Sequence, residues 1–208
     1  MSLDYLNGSV EMAHGSGGRA SSELVNELFL PAFDNPILRE LNDQATLTLL
    51  SKRIVMATDS HVISPLFFPG GNIGSLAVYG TVNDVVMSGA KPLYLSVGFI
   101  LEEGFGLSEL KKIVDSMAKA ANACAIKIVT GDTKVVERGH GDGCYINTTG
   151  IGCINNDLNL SPANIQSGDK IIVSGSLGDH GTTILAQRQH LNLSCPKYAA
   201  CETLLGVV

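Results

Sequence analysis

Tryptophan is absent from this sequence, and only 16% of its residues are charged. A disordered chain would need more charge and less apolar material than the 45% of hydrophobic residues found here. Basic residues are also few, since 14 of them against 20 acidic residues give a formal net charge of -6. This balance offers no basic surface for a phosphate backbone, so we expect no nucleic-acid partner.

Long apolar runs are missing as well. The best candidate, residues 85–101, is interrupted by Ser88, Lys91 and Pro92, so we expect no membrane partner. The N-terminus shows no basic segment followed by an apolar run, which favours a cytoplasmic protein over a secreted one. The five cysteines are odd in number and form no C-x-x-C pair, so they indicate neither a disulfide framework nor a zinc site.

Apolar segments of strand and of helix character alternate along the chain, which predicts an α/β fold. Strands are predicted at 53–58, 93–100, 126–130 and 145–154. Helices are predicted around 24–29, capped by Ser21 or Ser22 and closed by Pro31 and Pro36, over 73–88, and after a cap at Ser108. Gly74, Ala77 and Gly80 would let the helix at 73–88 pack closely against its neighbours.

The polar stretch 155–167 has the composition of a linker, and 170–175 is predicted to be the first strand of a new unit. We therefore divide the chain into an N-terminal domain, 1–155, and an incomplete second domain, 156–208.

Four aspartates lie at turns or in helices beside apolar segments: Asp43, Asp59, Asp84 and Asp132. Carboxylates gathered at strand ends suit magnesium, which commonly bridges one or two carboxylates to nucleotide phosphates. Taken singly, an aspartate after a strand is more often a turn residue or a helix cap than a metal ligand. Asp84 differs, because it lies within a helix of apolar and small residues where an unpaired carboxylate would be costly to bury.

Glycines accompany these acidic residues. Gly71 and Gly131 would let the backbone approach phosphates, and Lys134 could neutralise phosphate charge. The glycine-rich turn at 14–18 is either a flap whose amides close over an anion or a flexible turn, and it lacks the Walker pattern. Residues 178–181 allow the same two interpretations, of which we favour a turn that starts a helix.

Several motifs follow one another in a fixed order. They are A-H-G-S-G-G at 13–18, T-D-S at 58–60, P-L-F-F-P-G-G-N-I-G at 65–74, N-D-V at 83–85, G-F-I-L-E-E-G at 98–104 and V-T-G-D-T-K-V-V at 129–136. In this order and spacing they resemble the HypE family of hydrogenase maturation proteins, within the AIR-synthase-related (PurM-like) superfamily. The motif at 65–72 is specific to HypE, whereas other superfamily members share mainly the aspartate and glycine positions.

This resemblance implies a PurM-like N-terminal domain whose mixed β-sheet, flanked by helices, pairs with a second copy in a barrel-like homodimer interface. The start of an α/β C-terminal domain follows. It also implies ATP-dependent dehydration of a thiocarboxamide on a C-terminal cysteine to a thiocyanate, which supplies the cyanide ligands of nickel-iron hydrogenase. The implied partners are a HypF-like carbamoyltransferase and an iron-carrying HypC–HypD-like complex.

The resemblance also assigns residues to the ATP and magnesium site. Magnesium or phosphate-water ligands would be Asp43, Asp59, Asp84 and Asp132; nucleotide-binding residues would be Gly15, Gly17, Gly71, Asn72, Gly131, Thr133 and Lys134. Lys134 is the candidate catalytic residue. Family members end in cysteine, which this chain does not, so we expect it to lack the acceptor thiol and not to complete the dehydration. Two alternatives stay open: another PurM-like kinase or synthetase acting on a small molecule, and a non-catalytic dimerisation and docking module.

Overall fold

The computed structural model describes residues 3–42, 44–49, 53–154, 158–173 and 175–191. The strands are β1 (Arg53–His61), β2 (Phe67–Phe68), β3 (Gly71–Asn72), β4 (Lys91–Glu102), β5 (Lys127–Val136) and β6 (Cys144–Ile154). The helices are α1 (Arg19–Leu24), α2 (Leu30–Phe33), α3 (Ile73–Val86), α4 (Leu107–Ala123) and α5 (Asp179–Arg188). The predicted α/β fold is confirmed.

The main sheet has four strands in the order β1-β6-β4-β5. The β1–β6 and β6–β4 pairs are antiparallel and the β4–β5 pair is parallel, so the sheet is mixed as expected. Within the described ranges β1 and β5 are its two edges, and the sheet does not close into a barrel in a single chain.

Helices α3 and α4 cover one face of this sheet. Glycines allow the close approach: a Cβ added at Gly74 would lie 2.5 Å from the carbonyl oxygen of Ile113 in α4. A Cβ at Gly152 of β6 would lie 2.6 Å from a methyl carbon of Val85 in α3. The predicted close packing of the helix at 73–88 is therefore confirmed. It places Ile73, Val78, Ile113 and Met117 in the core without measurable exposure.

The opposite face of the sheet carries exposed apolar side chains. On β1, Ile54 is 55% exposed and Met56 is 71% exposed, and Ile100 on β4 is 43% exposed. The irregular segment 44–49 runs beside part of this face, since Leu47 lines a small cavity together with Tyr94 and Thr149. We call this surface the open face.

Three helix boundaries predicted from the sequence are wrong. Gly18, not Ser21 or Ser22, is the N-cap of α1, and Gly106, not Ser108, is the N-cap of α4. Pro31 does not end the first helix, because a π-helical turn (Val25–Phe29) precedes it and α2 continues to Phe33. The wider winding of a π-turn accommodates a residue that has no N–H to donate.

The strands extend further than the apolar runs predicted. Asp59 and Ser60 lie inside β1, paired with β6, and the 131–134 cluster lies inside β5, paired with β4. Ladder hydrogen bonds are made by the backbone, so an edge strand can continue through polar residues whose side chains reach water.

The strand predicted at 170–175 is also wrong for residues 170–173, which are irregular, and Ser174 is outside the described residues. Ile171 is 95% exposed and Ile172 is 86% exposed, because no described strand pairs with this segment. The turn before α5 does start a helix, with Gly178 at φ 90° as its N-cap. Arg188 of α5 donates from Nε to the carbonyl oxygen of Ser64, between β1 and β2, at 2.6 Å. None of the helices in the described ranges has the length and apolarity needed to cross a membrane.

Candidate functional site

A cavity of about 350 Å³ lies between the glycine-rich turn, the first helix and strands β4 and β5. Its lining brings together residues that are far apart in sequence, including Gly15 and Gly17 of the turn and Gly131, Asp132 and Thr133 of β5. The volume falls within the range of small-molecule sites, roughly 300 to 1,000 Å³. Five of the predicted site residues therefore border one space.

Close backbone packing explains two of these glycines. A Cβ at Gly15 would lie 2.4 Å from the backbone nitrogen of Val135, and a Cβ at Gly131 would lie 2.4 Å from the carbonyl oxygen of Val97. Real Cβ atoms do not approach backbone atoms this closely, so both positions need glycine for folding, whatever they bind. Gly17 differs, because it has φ +71° and no atom within 4 Å of an added Cβ.

Ser21 holds the glycine-rich turn in place. Its Oγ donates to the carbonyl oxygen of His14 at 2.9 Å and accepts the backbone N–H of Gly17 at 3.0 Å. The residue predicted as a helix cap instead ties the start of α1 to the turn that closes the cavity.

His14 is a residue of this cavity that the sequence analysis did not select. Its side chain is buried, lines the cavity, and its Nδ1 accepts the backbone N–H of Glu11 at 2.9 Å. The position of His14 in the A-H-G-S-G-G motif, directly before the glycines, was the only signal in the sequence.

A second group of polar side chains lies at the other edge of the sheet, between β1 and α3. The Oδ2 atom of Asp59 is 3.6 Å from Nε2 of His61, and its Oδ1 accepts the backbone N–H of Ser60 at 2.8 Å. Burial lowers the pKa of His61, against the opposing effect of Asp59 and Asp84. His61 is therefore neutral near pH 7, and the cluster is acidic.

Asp84 is exposed, so the argument that a buried carboxylate must be functional is wrong. It lies one helical turn beyond Gly80, whose added Cβ would be 3.0 Å from Cε1 of His61 and 3.6 Å from Oδ2 of Asp59. Asp84 and Asp59 therefore face the same region of solvent from α3 and β1.

Beneath this acidic pair, buried hydroxyl groups join the sheet to α3. Thr81 and Thr148 lie 2.6 Å apart through their Oγ1 atoms, and Thr148 donates to the carbonyl oxygen of Ala77 at 3.1 Å. Both threonines are 0% exposed. This contact fixes the position of α3, and with it Asp84, against β1 and β6.

Asp132 and Lys134 lie far from the acidic pair. Asp132 pairs with Gly98, Gly98 with Asn147, and Asn147 with Ser60, so these residues form one row across the open face. Asp59 is paired with Thr148, which points toward α3 on the opposite face. With neighbouring strands about 4.8 Å apart, the edges carrying Asp132 and Asp59 are about 14 Å apart.

Three predicted site residues remain: Gly71 and Asn72, which lie at the start of α3, and Asp43. The Oδ1 atom of Asn72 is occupied with capping α3, accepting the backbone N–H of Gly74 at 2.8 Å and the hydroxyl of Ser116 at 2.8 Å, while Gly71 precedes it in β3. Asp43 lies outside the described residues. Among those that are described, no three His, Cys, Asp or Glu side chains are grouped to hold a metal ion.

Comparison with known proteins shows similarity along nearly the whole chain. It is 57% identical over 206 residues to the protein named carbamoyl dehydratase HypE of Azotobacter vinelandii, covering 99% of this chain and 60% of that protein. A solved structure of hydrogenase maturation protein HypE in complex with ATP matches with a TM-score of 0.87 and 56% identity, over 89% of this chain and 55% of that one. A HypE–HypF complex matches with a TM-score of 0.73 and 49% identity, over 88% and 59% of the two chains.

These relatives are longer than the chain described here, which spans about 60% of the first of them. Residues 41–154 match the family model described as AIR synthase related protein, N-terminal domain. This match covers more than half of the chain and includes the whole four-stranded sheet. The resemblance to HypE found in the sequence motifs is confirmed, and the chain belongs to the family of AIR synthase related proteins.

Proposed function

We propose that this chain is the ATP-binding part of a carbamoyl dehydratase that makes thiocyanate from a cysteine thiocarboxamide during hydrogenase maturation. The observation that carries the proposal is the cavity bordered by Gly15, Gly17, Gly131 and Thr133, in a chain 56% identical to an ATP-bound HypE. ATP supplies the phosphoryl group that turns the carbonyl oxygen of the thiocarboxamide into a leaving group. The protein's own task is to bind the nucleotide, orient it and neutralise its charge.

The residues of the cavity fit a nucleotide. The turn at 14–18 is anchored by Ser21, and backbone packing seats it on β5, so its amides are held at the cavity mouth. Lys134 is exposed on β5, two residues beyond Asp132. We assign to it the role of neutralising the negative charge of the phosphates. Asn72 stabilises the start of α3, which carries Asp84 at its other end.

Magnesium would be held by Asp59 and Asp84, joined by Asp43 and Asp132. Magnesium usually takes one or two carboxylates and completes its shell with phosphates and water, so the Asp59–Asp84 pair satisfies the minimum. The 14 Å or so between the two sheet edges means that Asp132 of the same chain does not belong to that pair.

In a homodimer, Asp132 of one protomer could lie near the Asp59–Asp84 pair of the other. The open face carries exposed Ile54, Met56 and Ile100, and among the described residues the sheet has two unpaired edges, β1 and β5. Two copies that close their open faces into a barrel-like interface would bring β5 of one protomer toward β1 of its partner. The nucleotide would then lie near this interface, between the cavity of one protomer and the acidic pair of the other.

We further propose a cytoplasmic location and two partners: a HypF-like carbamoyltransferase that supplies the carbamoyl group, and a HypC–HypD-like complex that receives the cyanide. A solved HypE–HypF complex contains a chain 49% identical to this one, which supports the first partner.

Two assays test the proposal. Calorimetry of the chain with ATP should show binding that strengthens with magnesium, and a chain that binds no ATP at millimolar concentration would contradict it. Incubation with ATP, magnesium and a carbamoyl donor system should release no thiocyanate from this chain, while the Azotobacter vinelandii relative serves as the positive control. Thiocyanate formed on this chain would show that our expectation of an inactive fragment is wrong.

A further inference from the structure

His61 is the last residue of β1 and, unlike the other residues of that strand, it is buried, with 7% of its surface exposed. The ring fits against α3 because Gly80 has no side chain: a Cβ added there would lie 3.0 Å from Cε1 of the imidazole. Burying an imidazole costs free energy unless its nitrogen atoms find partners. The partners of this ring therefore indicate what it does.

The hydrogen bonds beneath the ring place a hydrogen on Nε2 of His61. Thr148 donates its only hydroxyl hydrogen to the carbonyl oxygen of Ala77, at 3.1 Å. The Oγ1 atom of Thr148 also lies 3.5 Å from Nε2, and because its hydrogen is already used it can only accept there. On its other side Nε2 faces a carboxylate oxygen of Asp59, at 3.6 Å, which is also an acceptor. Nε2 is therefore the donor, in the neutral ring and in the protonated ring alike.

This donor helps to hold the carboxylate of Asp59 at both of its oxygens. Oδ1 accepts the backbone N–H of Ser60 at 2.8 Å. Oδ2 faces Nε2 of His61 at 3.6 Å, which is longer than an ordinary hydrogen bond but close enough for electrostatic attraction. Because 47% of the Asp59 side chain is exposed, little else restricts its rotation. The two N–H groups favour one orientation of the carboxylate and leave lone pairs on both oxygens for a cation.

The same ring connects Asp59 to the helix that carries Asp84. Thr148, which His61 contacts, lies 2.6 Å from Thr81 through the Oγ1 atoms, and Thr81 is about one turn before Asp84 in α3. Both threonines are 0% exposed, so water does not compete for their hydroxyl groups. Two carboxylates that share a cation must be held at a fixed separation, and groups outside the ligands commonly provide this.

We propose that His61 is a positioning residue for magnesium: without touching the ion, its Nε2–H orients Asp59 so that Asp59 and Asp84 present oxygen atoms to one cation. The inference rests on the proposed function, because it presumes that magnesium binds at this pair. It adds a residue that is not itself a metal ligand. It also accounts for an imidazole at a buried position where an apolar side chain would be less costly to bury.

Two substitutions of His61 separate positioning from packing. His61→Gln places an amide N–H near the position of Nε2, so it keeps the donor to Asp59. His61→Phe keeps a flat ring of similar size and loses the donor. If the imidazole only filled space, phenylalanine would be the better replacement at this buried position and glutamine the worse one. The two roles therefore predict opposite orders of the two variants.

The experiment measures ATP binding to the 208-residue chain and both variants by calorimetry, with magnesium and again with the chelator EDTA, and records melting temperatures alongside. Manganese(II), which also suits oxygen ligands, gives a second readout, because the electron paramagnetic resonance signal of the free ion falls on binding. We expect His61→Phe to lose about tenfold in manganese affinity and in the strengthening of ATP binding by magnesium. His61→Gln should stay within about threefold of the parent despite a lower melting temperature. ATP affinity in EDTA should be the same in all three proteins.

His140→Phe is the matched control, because His140 is exposed in the loop between β5 and β6, and it should change none of these measurements. Equal magnesium dependence in the parent and His61→Phe would overturn the inference, as would a His61→Gln variant that loses as much as His61→Phe. In both cases a parent that binds ATP more strongly with magnesium leaves the proposed function standing. A parent whose ATP binding does not respond to magnesium contradicts the metal site of the proposed function, and the inference with it.

Discussion

Asp59 and Asp132 lie on opposite faces and opposite edges of the same four-stranded sheet. Asp59 is paired with Thr148 on the face covered by α3, whereas Asp132 pairs with Gly98 on the open face. The two carboxylates were expected to serve one magnesium site, yet a single chain keeps them apart. On the proposed function, their joint use would require a second copy, and we expect nucleotide binding and dimerisation to depend on each other.

The acidic pair gives the first prediction. Asp84→Asn removes one carboxylate charge and leaves an exposed side chain of the same size, so the fold should be unaffected. We expect magnesium-ATP affinity, measured by calorimetry, to fall at least tenfold, or about 1.4 kcal/mol, since magnesium is bound through only one or two carboxylates.

Asp115→Asn is the matched control, because Asp115 is a half-exposed carboxylate on α4 whose partner is Lys111, at 2.7 Å. It should change magnesium-ATP affinity by less than twofold. Unchanged affinity in Asp84→Asn would show that Asp84 is not a magnesium ligand.

The glycine-rich turn gives the second prediction. Gly15→Ala would place a Cβ 2.4 Å from the backbone nitrogen of Val135, so the turn must lift from β5. We expect a loss of about 1 to 3 kcal/mol in the free energy of unfolding, measured by urea denaturation.

Gly175→Ala serves as the comparison, because Gly175 has no positive φ and nothing lies within 4 Å of its added Cβ. Its stability should stay within about 0.5 kcal/mol of the parent. Equal stability of the two variants would mean that the turn does not pack on β5.

The sequence located the central strands of the sheet, but it did not reveal how the strands are arranged or that Asp84 is exposed. The strands at 93–100 and 145–154 were located because strand-forming apolar residues dominate both stretches, and β4 and β6 are the central strands. The strand order, which places Asp59 and Asp132 at opposite edges of the sheet, depends on contacts between distant residues and has no local signal in the sequence. In α3 nearly every position is apolar or small, so periodicity did not reveal that Asp84 faces solvent.

The buried threonines give the third prediction. Thr148→Val removes the hydroxyl that lies 2.6 Å from that of Thr81 and leaves the latter without its buried partner. We expect a loss of about 1 to 3 kcal/mol in the free energy of unfolding.

The double variant Thr81→Val with Thr148→Val should lose less than the sum of the two single variants, because the shared hydrogen bond is then counted once. Strict additivity in urea denaturation would show that the two hydroxyls do not interact.

The open face gives the last prediction. Met56→Glu places a charge in the middle of the surface that we assign to the homodimer, where Met56 is 71% exposed in the single chain. If two copies bury this face, the carboxylate must be desolvated, and the dimer should dissociate to monomer at micromolar concentration in light scattering. Because the nucleotide is placed near that interface, ATP affinity should fall together with the dimer. Ile171→Glu is the control: Ile171 is 95% exposed but lies outside the sheet, so its charge should leave both measurements unchanged. A parent chain that is monomeric at high concentration yet binds magnesium-ATP would show that one chain is sufficient, and that Asp132 takes no part in holding the metal.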